Sequence, residues 1–269
     1  MNISGLADKT VAICRRDLLT AVRYRSGFLL TAAGAVAELA AFYYLARAIG
    51  PGFRPDGLDY FPFLVVGTGF YTFLIMGIHS FLDTVQEAQQ TGTLEVLMTT
   101  ATPPPVMVLL SAMSAFSRQA SQFVLYLAAG IMIFRGSLPA PSMAGAFAIF
   151  VLSLMIAIAI GMMAAALQLA MQKGSAILWL MGSIAWLMTG TLFPVTTLPK
   201  PLRRISEFIP ITHALDGMRS ALLQGASIST LSREIGILAL FCLTLLPLSL
   251  VLFSLSLSHA RREGTLSCY

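Results

Sequence analysis

Six stretches of this sequence, at 27–49, 60–82, 106–134, 142–170, 176–193 and 235–257, are dominated by apolar side chains and hold only three charged residues between them: Glu38, Arg47 and Arg118. About 20 apolar residues in helical form cross a hydrocarbon core of about 30 Å. Inside lipid every backbone N–H and C=O must be satisfied internally, which leaves helices or closed barrels. A barrel strand alternates polar and apolar residues, and these stretches do not, so they read as helices. Composition agrees. Of the 269 residues 57% are hydrophobic and 11% charged, whereas a soluble domain carries about 25% charged residues to cover its surface. The expected class is an all-α polytopic membrane protein with six transmembrane helices, and the chain, 1–269, reads as a single domain.

Prolines mark the joints between these stretches: Pro51 and Pro55, Pro103 to Pro105, Pro139 and Pro141, then Pro194, Pro199, Pro201 and Pro210. Ahead of the first span, residues 4–25 form a basic amphipathic pattern. Val11, Cys14, Leu18, Ala21 and Val22 fall on one helical face, and Lys9, Arg16 and Arg23 recur on the other. Such a helix rests in the membrane interface, drawn by anionic headgroups; the alternative is a cytosolic helix packed on its own protein. The charges spread through the first residues leave no signal-peptide pattern. Cys14, Cys242 and Cys268 form neither a CxxC nor a disulfide framework.

Orientation follows Lys and Arg, but the count over all loops is balanced at eight on each side. The flanks of the first span decide it: five basic residues (Lys9, Arg15, Arg16, Arg23, Arg25) precede it, against Arg47 and Arg54 after it. Both termini, including the tail 258–269, are expected in the cytoplasm of a cell whose plasma (inner) membrane holds the chain.

Catalytic motifs are absent. The three lysines follow Asp8, Gln172 and Pro199, so no G-x-x-x-x-G-K-[ST] loop exists. GTGFYT at 67–72 lacks a third glycine and lies within a span. His79, His213 and His259 are isolated, which excludes HExxH, and no GxSxG is present. His79, Asp83 and Glu87 share a helical face, a pattern open to metal binding but better explained by a span turning polar as it leaves the bilayer. The chain is expected to be no enzyme, to hold no metal or cofactor, and to bind no nucleic acid.

Between the second and third spans lies QEAQQTGTLEVLMTTATPPP, residues 86–105, with Glu87 and Glu95 and no Lys or Arg. Gly92 breaks the extension of the second span, and the prolines stop any helix entering from the N-terminal side. Residues 93–99 then form one or two helical turns, capped by Thr93 and with Glu95 in the first turn, where the helix dipole favours a carboxylate. Leu94, Val96 and Leu97 are apolar where water is expected, which makes the segment a docking knob. The loop 194–234 is too polar to span, yet Leu202, Ile205, Phe208 and Ile209, then Ala214, Leu215, Met218 and Leu222, recur at helical spacing. Thr212 is a candidate N-cap, with Asp216 in the first turns. An amphipathic helix lying on the membrane surface is the plainer alternative.

Together these two segments resemble the ABC-2 type transporter permeases. The first matches the family's cytoplasmic loop at Glu87, Gly92, Thr93, Leu94, Glu95, Leu97, Thr102 and Pro103; the second matches at Phe193, Pro194, Leu198, Pro199, Pro210, Thr212, Arg219 and Gly225. The likeness covers essentially the whole chain. It implies a coupling helix within 86–100 that sits in a cleft of a separate ATPase, and two short helices at 194–225 that dip back from the outer face as an extracellular gate. It also implies two copies of a cytosolic ABC ATPase binding ATP and Mg²⁺ in trans, and a second permease copy, identical or not. Gln86, Gln89 and Gln90 stand where the family has basic residues, so no salt-bridge role is carried over beyond Glu87 and Glu95.

Charges within spans mark aqueous paths or partners. Glu38 lies mid-way along the first span and Arg118 near the middle of the third, where Ser111, Ser114, Ser121 and Gln122 share its face. A path through Glu38, Ser114, Arg118, Ser121 and Gln122, with Glu38 and Arg118 paired, is one reading; separate partners for each is the other. Phe70, Tyr71, Phe73, Phe116, Tyr126 and Trp186 suggest an amphiphilic drug-like or lipid-like substrate moved out of the cytoplasm. Export of a lipid-linked polysaccharide uses the same frame, and a secondary transporter is the alternative from another class, though repeated halves are not found.

Overall fold

The computed structural model describes residues 25–90, 116, 119–132, 141–171 and 174–263. Of the expected interface helix at 4–25 only Arg25 is described, and of the expected coupling helix at 86–100 only 86–90, at the end of a longer helix; Gly92, Thr93, Leu94, Glu95, Leu97, Thr102, Pro103, Ser114 and Arg118 lie outside the described residues. Eight helices are described: α1 (Arg25–Ile49), α2 (Tyr60–Gln90), α3 (Gln119–Met132), α4 (Met143–Met171), α5 (Gly174–Met188), α6 (Lys200–Glu207), α7 (Pro210–Leu223) and α8 (Ser232–Glu263). Short 3₁₀ turns at Pro55–Gly57 and Val195–Thr197 join them. Among the described residues no strand occurs.

Four helices are long and apolar enough to cross a membrane: Leu30–Ile49, Tyr60–Glu87, Met143–Leu169 and Ser232–His259. They coincide with the first, second, fourth and sixth apolar stretches, and α3 is the described part of the third. The fifth stretch departs from expectation. Its helix stops at Met188 rather than running to 193, so its 15 residues reach only about 22 Å. The chain there turns through Thr189 and Gly190, whose φ of 77° is the left-handed conformation that glycine adopts without a Cβ penalty.

Helix α2 is the axis of the bundle. Phe63, Leu64, Phe70, Phe73, Leu74, Phe81 and Leu82 are all fully buried, and the helix lies against α4 and α7. Phe73 stacks on Phe150 of α4 at 4.9 Å between centroids and meets Phe116 edge-on at 6.0 Å. Four of the aromatic residues expected to face a substrate, Phe70, Tyr71, Phe73 and Phe116, are therefore packed inside the protein; Tyr126 is part-buried and Trp186 is 40% exposed. Rings of this size fill the space between helices that lipid cannot enter, and that use takes precedence. Helix α4 is apolar on all sides and packs along α8 as well as α2. Helix α1 is largely exposed and touches the rest mainly through α2.

Candidate functional site

A helix ends with carbonyls that no amide of its own can reach. At the end of α5, and in the turn after it, these carbonyls are collected by side chains from three other elements. Ser206 of α6 donates its hydroxyl to the Met188 carbonyl at 2.7 Å. Arg219 of α7 donates from Nη1 to Gly190 at 2.9 Å and from Nη2 to Thr191 at 2.8 Å. Tyr60, at the start of α2, donates its phenol to Leu192 at 3.1 Å. Arg219 also donates from Nε to the Phe63 carbonyl at 3.3 Å, and its guanidinium carbon lies 3.5 Å from the centre of the Phe63 ring. A cation at a helix C-terminus is favoured by the dipole, and a guanidinium presents planar donors to several carbonyls at once.

Arg219 is buried, and burial lowers its pKa from 12.5 to about 10, with Asp216 and Asp56 opposing that shift. It stays charged at neutral pH. The space it occupies exists because residue 67 is glycine: a Cβ there would overlap the guanidinium and crowd the Thr191 carbonyl. Asp216, one turn before Arg219 on α7, is part-buried. Burial pushes its carboxyl up from 3.8 to about 6; Arg219 and His213 pull it down, while Asp56 and Glu234 push further up.

The two short helices expected at 194–225 are present as α6 and α7. Thr212, however, is not the N-cap. Helix α7 begins at Pro210 after Ile209, with no side-chain cap; proline's fixed φ suits the first helical position, and the Thr212 amide donates to the Ile209 carbonyl at 3.0 Å. Thr212 is buried instead, with its hydroxyl 3.3 Å from that of Ser206, and Asp216 lies beyond the first turn. Phe193 and Leu198 are part-buried, Pro194 is buried and accepts from Thr197 at 2.7 Å, and Pro199 is exposed ahead of α6. Gly225 ends α7 with φ 64°, and the Ala226 amide closes on Ser220 at 3.0 Å. Arg219 is thus the residue of this set that hydrogen-bonds the segment to α2. Phe63, Gly67, Tyr60 and Ser206, which complete the node, carry no sequence signal except that Ser206 is a small hydroxyl in an otherwise charged and apolar helix.

A second polar feature lies between α1, α2 and α3, where a groove of about 440 Å³ is lined in part by Glu38 and Gln122. These two expected path residues therefore border one space, and Ser121 is exposed beside it. Glu87 is exposed near the end of α2. The His79 Nδ1–H donates to the Ile75 carbonyl at 2.8 Å, and among the described residues no three metal-ligating side chains converge.

The family model described as ABC-2 type transporter matches residues 9–223, a span that includes both the 86–105 segment and the Arg219 node. A search of curated proteins returns no match to the chain.

Proposed function

The chain belongs to the ABC-2 type transporter family, as a multi-pass membrane permease of the kind that works with an ABC ATPase, and from that premise we propose that it is the transmembrane half of an ATP-driven exporter. Two copies of a cytosolic ATPase bind ATP and Mg²⁺, two permease copies form the path, both termini face the cytoplasm, and an amphiphilic drug-like or lipid-like substrate leaves the cell. Residues 86–100 dock in the ATPase, and 194–225 close the outer end.

One observation supports this division of labour. Helix α2 carries Glu87, next to the docking segment, at one end, and the Phe63 and Gly67 half of the Arg219 node at the other. The 24-residue rise between Phe63 and Glu87 is roughly 36 Å, about the depth of a bilayer. Because most of α2 is buried along that length, it acts as a rod. A tilt applied by the ATPase near Glu87 reaches the 189–225 segment through Arg219, without any contact between the two ends. Coupling carried this way needs the rigid element to have two discrete arrangements, one with and one without the ATPase closed.

The test is co-purification. With the chain and its candidate ATPase expressed together, Leu94→Asp and Glu95→Ala are expected to lose the ATPase while the permease stays monodisperse. ATPase retained at wild-type stoichiometry by both variants contradicts docking through 92–99.

A further inference from the structure

Helix α6 lies at the depth where a bilayer changes from hydrocarbon to headgroup. Helix α4 spans and ends at Met171, so α5, beginning at Gly174, starts from the same membrane face. Its rise of about 22 Å stops roughly 8 Å short of a core of about 30 Å. Ser206 donates to the Met188 carbonyl at 2.7 Å, which holds α6 at that depth. Trp186, 40% exposed and two residues before the end of α5, agrees, since tryptophan gathers where hydrocarbon meets headgroups.

The two sides of α6 suit that place. Lys200, Arg203, Arg204 and Glu207 recur at i, i+3, i+4 and i+7 and form one exposed face. It sets three cations against a single carboxylate, which Arg203 reaches at 3.6 Å. Leu202 and Ile205 lie on the opposite side, 40% and 53% exposed, and Phe208 at the helix end is 80% exposed. Ser206, between the two sides, is fully buried against the end of α5. An apolar edge left open to water is unfavourable. The same edge is at home in an interface, where an amphipathic helix sinks its apolar side about 5–10 Å toward the acyl chains.

We infer that α6 is a docking surface for anionic phospholipid. Leu202, Ile205 and Phe208 enter the acyl boundary, and Lys200, Arg203 and Arg204 reach back to headgroup phosphates, as long basic side chains do. The charge selects the lipid. A zwitterionic headgroup offsets its phosphate with its own ammonium, whereas an anionic one keeps a net charge that basic side chains at the surface attract. The two guanidinium groups add paired bonds to phosphate oxygens. Ser206 ties α6 to the end of α5, and Arg219 ties down the turn that follows α5, so bound lipid steadies residues 189–209 as a whole. The inference rests on the chain being a membrane permease and is independent of substrate and of the direction of transport.

The full chain, with Cys14→Ser, Cys242→Ser and Cys268→Ser and with Phe208→Cys carrying bimane, is placed in phosphatidylcholine nanodiscs. Fluorescence quenching is compared for phosphatidylglycerol and phosphatidylcholine, each brominated on its acyl chains and present at the same mole fraction. Both lipids are expected to quench, with association at least about fivefold in favour of phosphatidylglycerol, the effect of one basic side chain near an anionic surface. Lys200→Gln, Arg203→Gln and Arg204→Gln together are expected to bring that ratio to about one. Salt at about 0.5 M is expected to lower it without any substitution in α6's basic face. Bimane at Leu180→Cys, exposed in the middle of α5, is expected to be quenched equally by the two lipids throughout. Equal quenching by both lipids at residue 208 overturns the inference, and so does a preference that survives the triple substitution. Bimane at 208 reached by aqueous iodide but by neither lipid puts α6 outside the membrane. Bimane shielded from all three quenchers puts protein over it, and either result overturns the inference as well.

Discussion

Arg219 of α7 lies with its guanidinium carbon 3.5 Å above the ring of Phe63 in α2 while its nitrogens bond the Phe63, Gly190 and Thr191 carbonyls. One side chain thus joins a spanning helix, the turn after a second helix, and the helix that carries it. Removing it strands the buried Gly190 and Thr191 carbonyls, each costing about 1–3 kcal/mol when unsatisfied. Arg219→Ala is expected to lower stability by about 3–5 kcal/mol, and Arg219→Lys by less, since the ammonium keeps the charge and some of the bonds, though it cannot serve all three carbonyls in one plane. Thermal unfolding in detergent, followed by size-exclusion fluorescence, checks both. An unchanged melting temperature for Arg219→Ala contradicts the node.

Gly67 makes room for the guanidinium, so its replacement and that of Arg219 act on one contact. Gly67→Ala alone is expected to displace Arg219 and to destabilise the protein. In the Arg219→Ala background it should be close to neutral, with an interaction energy above about 1 kcal/mol. A double-mutant cycle in which the two costs add shows that residue 67 matters for some other reason.

The carboxyl of Asp216 gives a pH dependence of fixed sign. Its pKa is near 3.8 in the unfolded chain and about 6 in the folded one, raised first by burial and held down in part by Arg219. The folded state therefore prefers the protonated form. Stability from this group is greatest below about pH 4, falls as pH rises toward 6, and is level above that. Asp216→Asn is expected to remove this slope and to raise stability at pH 7 by roughly 1–2 kcal/mol, after allowance for a part-exposed site. Melting curves from pH 4 to 7.5 provide the check, and parallel curves for the two proteins refute it.

Ser206 binds the Met188 carbonyl at 2.7 Å and so fixes α6 to the end of α5. Ser206→Ala is expected to cost about 1 kcal/mol and to raise proteolytic or cysteine-labelling access around Lys200–Glu207 without changing that of α4. Labelling rates unchanged at both places argue that α6 is held by something else.

The long spans were readable in the sequence because hydropathy over some 20 residues is a summed signal: α2, α4 and α8 begin and end within several residues of the apolar stretches. The end of α5 was missed although Thr189, Gly190 and Thr191 interrupt the apolar run there, because Leu192 and Phe193 carry the hydropathy on to 193. The helix stops there through contacts from far along the chain, chiefly Arg219 taking the Gly190 and Thr191 carbonyls. The short helices α6 and α7 were visible in their spacing, but the role of Thr212 was misjudged, since local capping preference gave way to Pro210 and to packing against Ser206. Arg219 was singled out through a family resemblance, whereas its partner Gly67 looked like part of an uninformative GTG. Tyr126 was read as one aromatic among many. Its hydroxyl is buried without a hydrogen-bond partner among the described residues, a property of helices meeting that periodicity along one helix does not encode.

The central claim, that this permease moves substrate only when a separate ATPase works on it, is tested most directly by ATP-driven transport. The chain and its candidate ATPase are reconstituted together in liposomes, and accumulation of rhodamine 6G is measured with ATP and Mg²⁺ outside, with a Walker A lysine variant of the ATPase as control. The account predicts uptake that requires ATP, the wild-type ATPase and the permease, and that falls to background when any of the three is missing. Uptake that continues at the same rate with the permease alone, or with the Walker A variant, contradicts it.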